Sequence, residues 1–196
     1  RRRPHSQFKQ LLAVEKLVTR AKRPNLRTHV VAAGVVYGSG EDVLHSLFKS
    51  AWLGQSVPLI SLEGAGANEL PTIHVADLVS ALEALHEHED APAYLLAVDG
   101  GQQHSEEEPQ TLAAVTRAIA EQLGSGETHM LAQPDVVTQR DYPFFQLGVK
   151  LAPAAINDLG FEWHCEEGLL AGMPLVVEEY RASRGSQPLR VLVHGN

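Results

Sequence analysis

Apolar positions along this chain switch between two spacings. At helical spacing fall Phe8, Leu11, Leu12, Val14 and Val18, then Val43, Leu44, Leu47, Phe48 and Ala51, and later Leu112, Val115, Ile119 and Leu123. Pro24 ends the first of these predicted helices, Gly54 stops the second, and Gly124, Ser125 and Gly126 close the third. The stretch 70–85 organises the rest: a short strand at 72–74 runs into a helix whose apolar face is Val75, Leu78, Val79, Leu82 and Leu85. Asp77 falls in its first turn, where a carboxylate offsets the helix dipole and accepts from unpaired amides. A last helix is predicted over 166–184, acidic early and rich in arginine late.

Short, largely apolar stretches at 29–33, 57–62, 94–98, 128–132 and 190–194 read as strands, the first of them an unbroken run expected to be covered on both faces. Loops are expected at Gly34, at 37–40, at 63–68 and in the acidic stretch 99–109; residues 142–156 read as helical with a break at Pro153. Strands alternating with helices of this length predict an α/β fold with a mostly parallel sheet.

Composition narrows the partners. With 44% hydrophobic and 20% charged residues, the 196-residue chain suits an ordinary globular domain, and its net charge of −8 argues against a nucleic-acid surface. The single cysteine, Cys165, excludes an internal disulfide and a multi-cysteine zinc site. No apolar run approaches the ~18 residues that span a bilayer. The expectation is a soluble protein of a reducing compartment, with no nucleic-acid and no membrane partner. A start at Arg1 and an end just after an apolar run lead us to expect an internal piece of a longer polypeptide.

Few motifs carry chemistry on their own. His5 and Lys9 stand one helical turn apart, the spacing of a Tyr-x-x-x-Lys pair, with histidine where the phenol should be. In that pair the lysine lowers the tyrosine pKa so that a proton can be exchanged during hydride transfer. His86 and His88 are two apart, so on a helix their imidazoles diverge and no metal site is assigned. Residues 37–40 and 64–66 contain glycines without the third glycine of a dinucleotide fingerprint. The acidic run 106–108 reads as a solvated loop, and 191–195 resembles the approach to a Walker A loop.

Taken together, residues 4–18, 30–41, 72–85 and 160–180 resemble, in order, the second half of extended short-chain dehydrogenases, the NAD-dependent epimerase/dehydratase group. The resemblance implies a Rossmann-like, mostly parallel sheet, incomplete at its N-terminal side, because the glycine fingerprint would lie upstream. Stretches 30–37, 45–54, 71–77, 94–99 and 179–185 are also similar to the dehydrogenase-like region of axonemal nucleoside monophosphate kinases. On that resemblance, 1–184 is the C-terminal half of a dehydrogenase-like domain, 185–189 a linker, and 190–196 the first strand of a P-loop kinase.

The resemblance assigns Lys9 to the nicotinamide ribose and Tyr37 and Gly38 to the loop that borders the nicotinamide. It places His5 at the catalytic tyrosine and makes Asp77 a structural carboxylate. Loss of the tyrosine implies a scaffold without turnover, with no catalytic residue of its own and no cofactor assigned to this segment. The alternatives are an active NAD(P)-dependent epimerase or dehydrogenase in which His5 or a neighbour substitutes for the tyrosine, and a dinucleotide-binding sensor without turnover. ATP and magnesium would belong to the kinase beyond the chain. Axonemal and microtubule-associated partners, and a place in the cytoplasm and cilium, follow from the same resemblance.

Overall fold

The computed structural model of the chain describes residues 8–21, 23–40, 43–59, 66–99, 109–130, 151 and 155–185. Along them run α1 (Lys9–Arg20), β1 (Val30–Ala33), β2 (Val35–Tyr37), α2 (His45–Trp52), β3 (Val57–Leu59), β4 (Thr72–His74) and α3 (Val75–Glu87). Then come β5 (Tyr94–Ala97), α4 (Leu112–Leu123), β6 (Thr128–Met130), a 3-10 turn at Asn157–Leu159, α5 (Gly168–Ala171) and α6 (Met173–Arg184). Every pairing between these strands is parallel: β1 with β5, β2 with β4, β3 with β6. The expected α/β order is therefore observed. His5, the acidic stretch 100–108, the helix expected within 142–156 and the final strand lie outside the described residues.

Three local expectations need correction. The chain does not loop out at Gly34 but continues as β2, changing partner there: Gly34 N–H donates to Ala97 O and Val35 N–H to Pro71 O. A Cβ on Gly34 would stand 2.7 Å from Pro71 O, so the exchange of neighbours needs glycine. The helix expected over 166–184 is two helices. Gly172 packs so close to Cys165 that a Cβ there would lie 2.3 Å from Sγ. Pro174, which has no N–H to give, falls in the first turn of the new helix.

The third correction concerns α3. Its buried positions are Asp77, Ala81 and Leu85, whereas Val79 and Leu82, expected in the core, are 50% and 45% exposed. The helix is rotated so that Asp77 faces inward, toward the segment that brings Cys165.

Alternation along β2 separates two cores. Val35 and Tyr37 pack with Leu47, Phe48, Ile119, Val176 and Tyr180, while Val36 packs with Ile73, Leu85, Leu95 and Ile156. Successive side chains of a strand point to opposite faces, so the two clusters cover the two sides of the sheet. Among the described residues no helix is long and apolar enough to cross a membrane.

Candidate functional site

In open parallel sheets the chemistry gathers at the carboxyl ends of the strands. Here β2 ends on Tyr37 and β4 on His74, directly paired in register, and Asp99 follows β5 by two residues. Asp99 N–H donates to Thr72 O at 2.8 Å, which ties the end of β5 to β4. Three strand ends thus deliver a phenol, an imidazole and a carboxylate to one place, and α6 adds Glu179 from the other side.

Glu179 is the hub. Its Oε2 accepts from Ser39 N–H at 3.0 Å and from His74 Nε2 at 2.9 Å, and its Oε1 from His164 Nε2 at 2.9 Å. His74 Nδ1 accepts from Ala76 N–H at 3.2 Å and so caps α3. That bond leaves the ring proton on Nε2, aimed at Glu179, an assignment made from the hydrogen-bond network. Burial alone would raise the Glu179 pKa; the hydrogen bonds from His74, Ser39 and His164 outweigh it and hold the carboxyl below its usual range.

A second chain of polar groups runs beneath. Gln110 Nε2 donates to Leu70 O and to Thr72 Oγ1, both at 2.8 Å, and its Oε1 accepts from Leu170 N–H. Thr72 Oγ1 passes its hydrogen to Asp99 Oδ2 at 2.6 Å, and Asp99 Oδ1 accepts from His74 N–H at 3.2 Å. Asp99 is fully buried, and burial pushes its carboxyl up to about 7 against the pull of the Thr72 and His74 donors. The Tyr37 hydroxyl faces Asp99 and the Cys165 thiol without a hydrogen bond of full geometry to either; burial, then the Asp99 charge, raises the phenol pKa. The buried thiol is likewise raised, chiefly by burial.

Asp77 was expected to take amides of its own helix. Instead its carboxylate accepts the N–H of His164 and of Cys165, fastening the segment before α5 to α3. The first-turn amide it might have taken is already held by His74.

His74, His164 and Glu179 place three ligand atoms within 4.8 Å of one another, as a metal centre would. Two features argue against that use. A ligating Nε2 needs the proton on Nδ1, and here Nδ1 is an acceptor. Gly38, at φ +93°, also roofs the ring so closely that a Cβ would fall 2.0 Å from Nε2. The donor set fits a hydrogen-bonded clamp, not an ion.

Of the residues singled out in the sequence, Tyr37 and Gly38 reach this cluster. Tyr37 is only 1% exposed and presents its ring edge to His74 at a centroid distance of 5.1 Å, so its phenol does not face outward. Lys9 stands on the exposed first turn of α1 and makes no hydrogen bond or ion pair with described residues. His5 lies outside the described residues. Sequence reasoning missed His74 as a cap, and missed Asp99, His164 and Glu179. A buried histidine at a strand end followed at once by a helix was the one usable signal.

Comparison with known proteins adds the context. Over 92% of its length the chain is 31% identical to adenylate kinase 7 of Macaca fascicularis, and along its whole length 29% identical to adenylate kinase 7 of Mus musculus. The chain resembles one third of adenylate kinase 7. It spans about 34% and 32% of those two relatives. No protein-family model matches it.

Among solved structures, a human epimerase family protein in complex with NADPH matches 87% of this chain and 55% of its own, with a TM-score of 0.63 at 23% identity. An NAD-dependent NDP-hexosamine 5,6-dehydratase of tunicamycin biosynthesis matches 87% of this chain at a TM-score of 0.61 and 17% identity. The fold is that of the NAD-dependent epimerases and dehydratases, represented here by little more than half of such a chain. The chain similar to adenylate kinase 7 thus shares its fold with part of an extended short-chain dehydrogenase.

Proposed function

We propose that this segment is a non-catalytic Rossmann-like docking module of an adenylate kinase-type protein, one that positions a nucleoside monophosphate kinase for nucleotide supply in cilia. One observation carries the reading: at the strand ends the carboxylates and the His74 imidazole are spent on structural hydrogen bonds. Glu179 takes three donors, His74 uses both ring nitrogens, and Asp99 accepts from Thr72 and His74. A group fully engaged in structural hydrogen bonds is poorly placed to move a proton on a substrate. His5 at the tyrosine position supports the same reading. Axonemal or microtubule-associated proteins are the partners it implies, and ATP with magnesium would serve the kinase outside this chain.

A second reading keeps the dinucleotide without turnover, as a sensor. It is favoured by the Gly38–Ser39 backbone at the carboxyl ends of parallel strands and by the human neighbour solved with NADPH. Lys9, Tyr37 and Gly38 would then be the remnants of the cofactor edge.

The test uses the full-length protein. NAD and NADP, each oxidised and reduced, are titrated by calorimetry, and nicotinamide reduction is followed with UDP-glucose present. The docking reading expects neither binding nor turnover; saturable binding without turnover selects the sensor. Binding with turnover of a nucleotide sugar overturns both and establishes an active enzyme.

A further inference from the structure

A groove of about 760 Å³ lies between α3 and the segment 159–164, within the size range of ligand clefts. Among the described residues its walls carry Glu83, Glu87, Glu89 and Glu162 and no lysine or arginine. None of these four carboxylates forms an ion pair with a described residue; the ion pairs of the acidic side chains run instead through Glu178 and Glu179. The floor is apolar and aromatic: Phe161 and Trp163, their centroids 4.6 Å apart, with Ala84 and Leu159.

Charge and shape select the occupant. Four carboxylates with no ion pair among the described residues repel phosphates, which argues against a nucleotide. A divalent ion needs ligands that converge, and the three-residue grouping that converges among the described residues is His74, His164 and Glu179, none of the four. The groove carboxylates are strung out instead. Along α3 the wall runs from Ala76 to Glu87, about 16 Å at about 1.5 Å per residue. An extended backbone of about five residues has that length. A row of carboxylates over an aromatic floor suits cationic side chains, which stack on aromatic faces while their charge is met from the sides.

The chain supplies its own precedent. Arg27 donates from Nη1 to His88 O and from Nη2 to His86 O, both at 2.7 Å, so the end of α3 already holds a guanidinium through its carbonyls. That contact leaves the carboxylates of Glu83 and Glu87 free of it.

We infer that this groove docks an extended, lysine- or arginine-bearing peptide segment of a partner protein. The inference rests on the groove alone and stands whether or not the strand ends bind a dinucleotide. The probe is a fluorescein-labelled hexapeptide alternating arginine or lysine with alanine, titrated into the full chain by fluorescence polarisation at low and at physiological salt. Binding weakened by salt is expected, with at least a tenfold loss in the combined Glu83→Gln, Glu87→Gln, Glu162→Gln variant. Exposed Glu121, Glu127 and Glu167 do not line the groove, so the same triple change there should move affinity less than twofold.

Tryptophan emission is the second readout. The peptide should shift it in the parent chain and leave it unmoved in Trp163→Phe, where Trp52 alone remains. No binding, equal losses in the two triple variants, or equal binding of a peptide with glutamine in place of its basic residues overturns the inference. Displacement of the peptide by stoichiometric calcium or magnesium at these carboxylates does so too.

Discussion

Two helices of twelve residues each, α1 and α6, show where the chemistry of this chain is held. Helix α1 carries Lys9, the residue that the resemblance assigns to the nicotinamide ribose, yet buries no residue at all, and its Leu11, Val14 and Leu17 are 58%, 55% and 72% exposed. Helix α6 attracted attention only for its charge gradient. It buries Met173, Val176, Val177 and Tyr180, and the turn between Val177 and Tyr180 presents Glu179 to the strand ends. A side chain can hold a defined geometry only on an element that packing has fixed. On the described residues, α6 is fixed and α1 is not.

The largest break in that contrast should come from Gly38→Ala. A Cβ there meets His74 Nε2 at 2.0 Å, and alanine at φ +93° is strained whatever the space. The roof of the clamp must move, and with it the seat of α6. Urea unfolding should show a loss of about 3 kcal/mol or more, or failure to fold.

Core truncation sharpens the comparison next. Val176→Ala in α6 should cost about 1–3 kcal/mol through lost burial and a residual cavity. Leu17→Ala in α1 should stay within about 0.5 kcal/mol, as exposed substitutions do. Equal costs would mean that α1 is as firmly seated as α6.

A smaller, pH-dependent effect belongs to Asp99. Its folded pKa stands at about 7 against an ordinary 3.8, so the folded state holds the extra proton between those values. Stability from this group is therefore fully present below about 3.8, falls steadily as pH rises from there, and is lost above about 7. Between pH 5 and pH 8 the parent chain should lose roughly 2–4 kcal/mol from this source. Asp99→Asn, which imitates the protonated carboxyl, should flatten the profile over that range. Glu179 does not confuse the window, because a carboxyl held below its ordinary value of 4.5 loses its stabilisation only at more acidic pH than that. Denaturant midpoints measured at half-unit pH steps decide the matter.

Much of the fold was legible because periodicity reports local structure. The alternation of short apolar runs and helical stripes located the described strands and helices apart from β2 and the break between α5 and α6, and Gly54 and Gly124 stand just past the ends of α2 and α4. The failures came where distant parts of the chain meet. Gly34 reads as a loop until Pro71 and Ala97 are alongside it, and Gly172 is one more helical residue until Cys165 presses on it. Val79 and Leu82 look like core because nothing local says that Asp77 will turn inward to reach residues 87 and 88 positions away.

The site suffered most from that limit. Tyr37 and Gly38 entered through the family resemblance, on a loop after a strand that the glycines of 37–40 mark locally. Glu179 and His74 are 105 residues apart, and a lone glutamate on an amphipathic helix looks like a solvated face. Only the tertiary packing of Val176, Val177 and Tyr180 turns that face toward the sheet.

The central claim is that the strand-end cluster is a structural clamp with Glu179 at its hub. Paired denaturant unfolding of Glu179→Gln and Lys9→Gln at pH 7 addresses it most directly. The account predicts a loss of about 1–3 kcal/mol for Glu179→Gln, which removes the charge from three hydrogen bonds, and a change within about 0.5 kcal/mol for Lys9→Gln. An unchanged midpoint in Glu179→Gln, or a larger loss in Lys9→Gln, would contradict it.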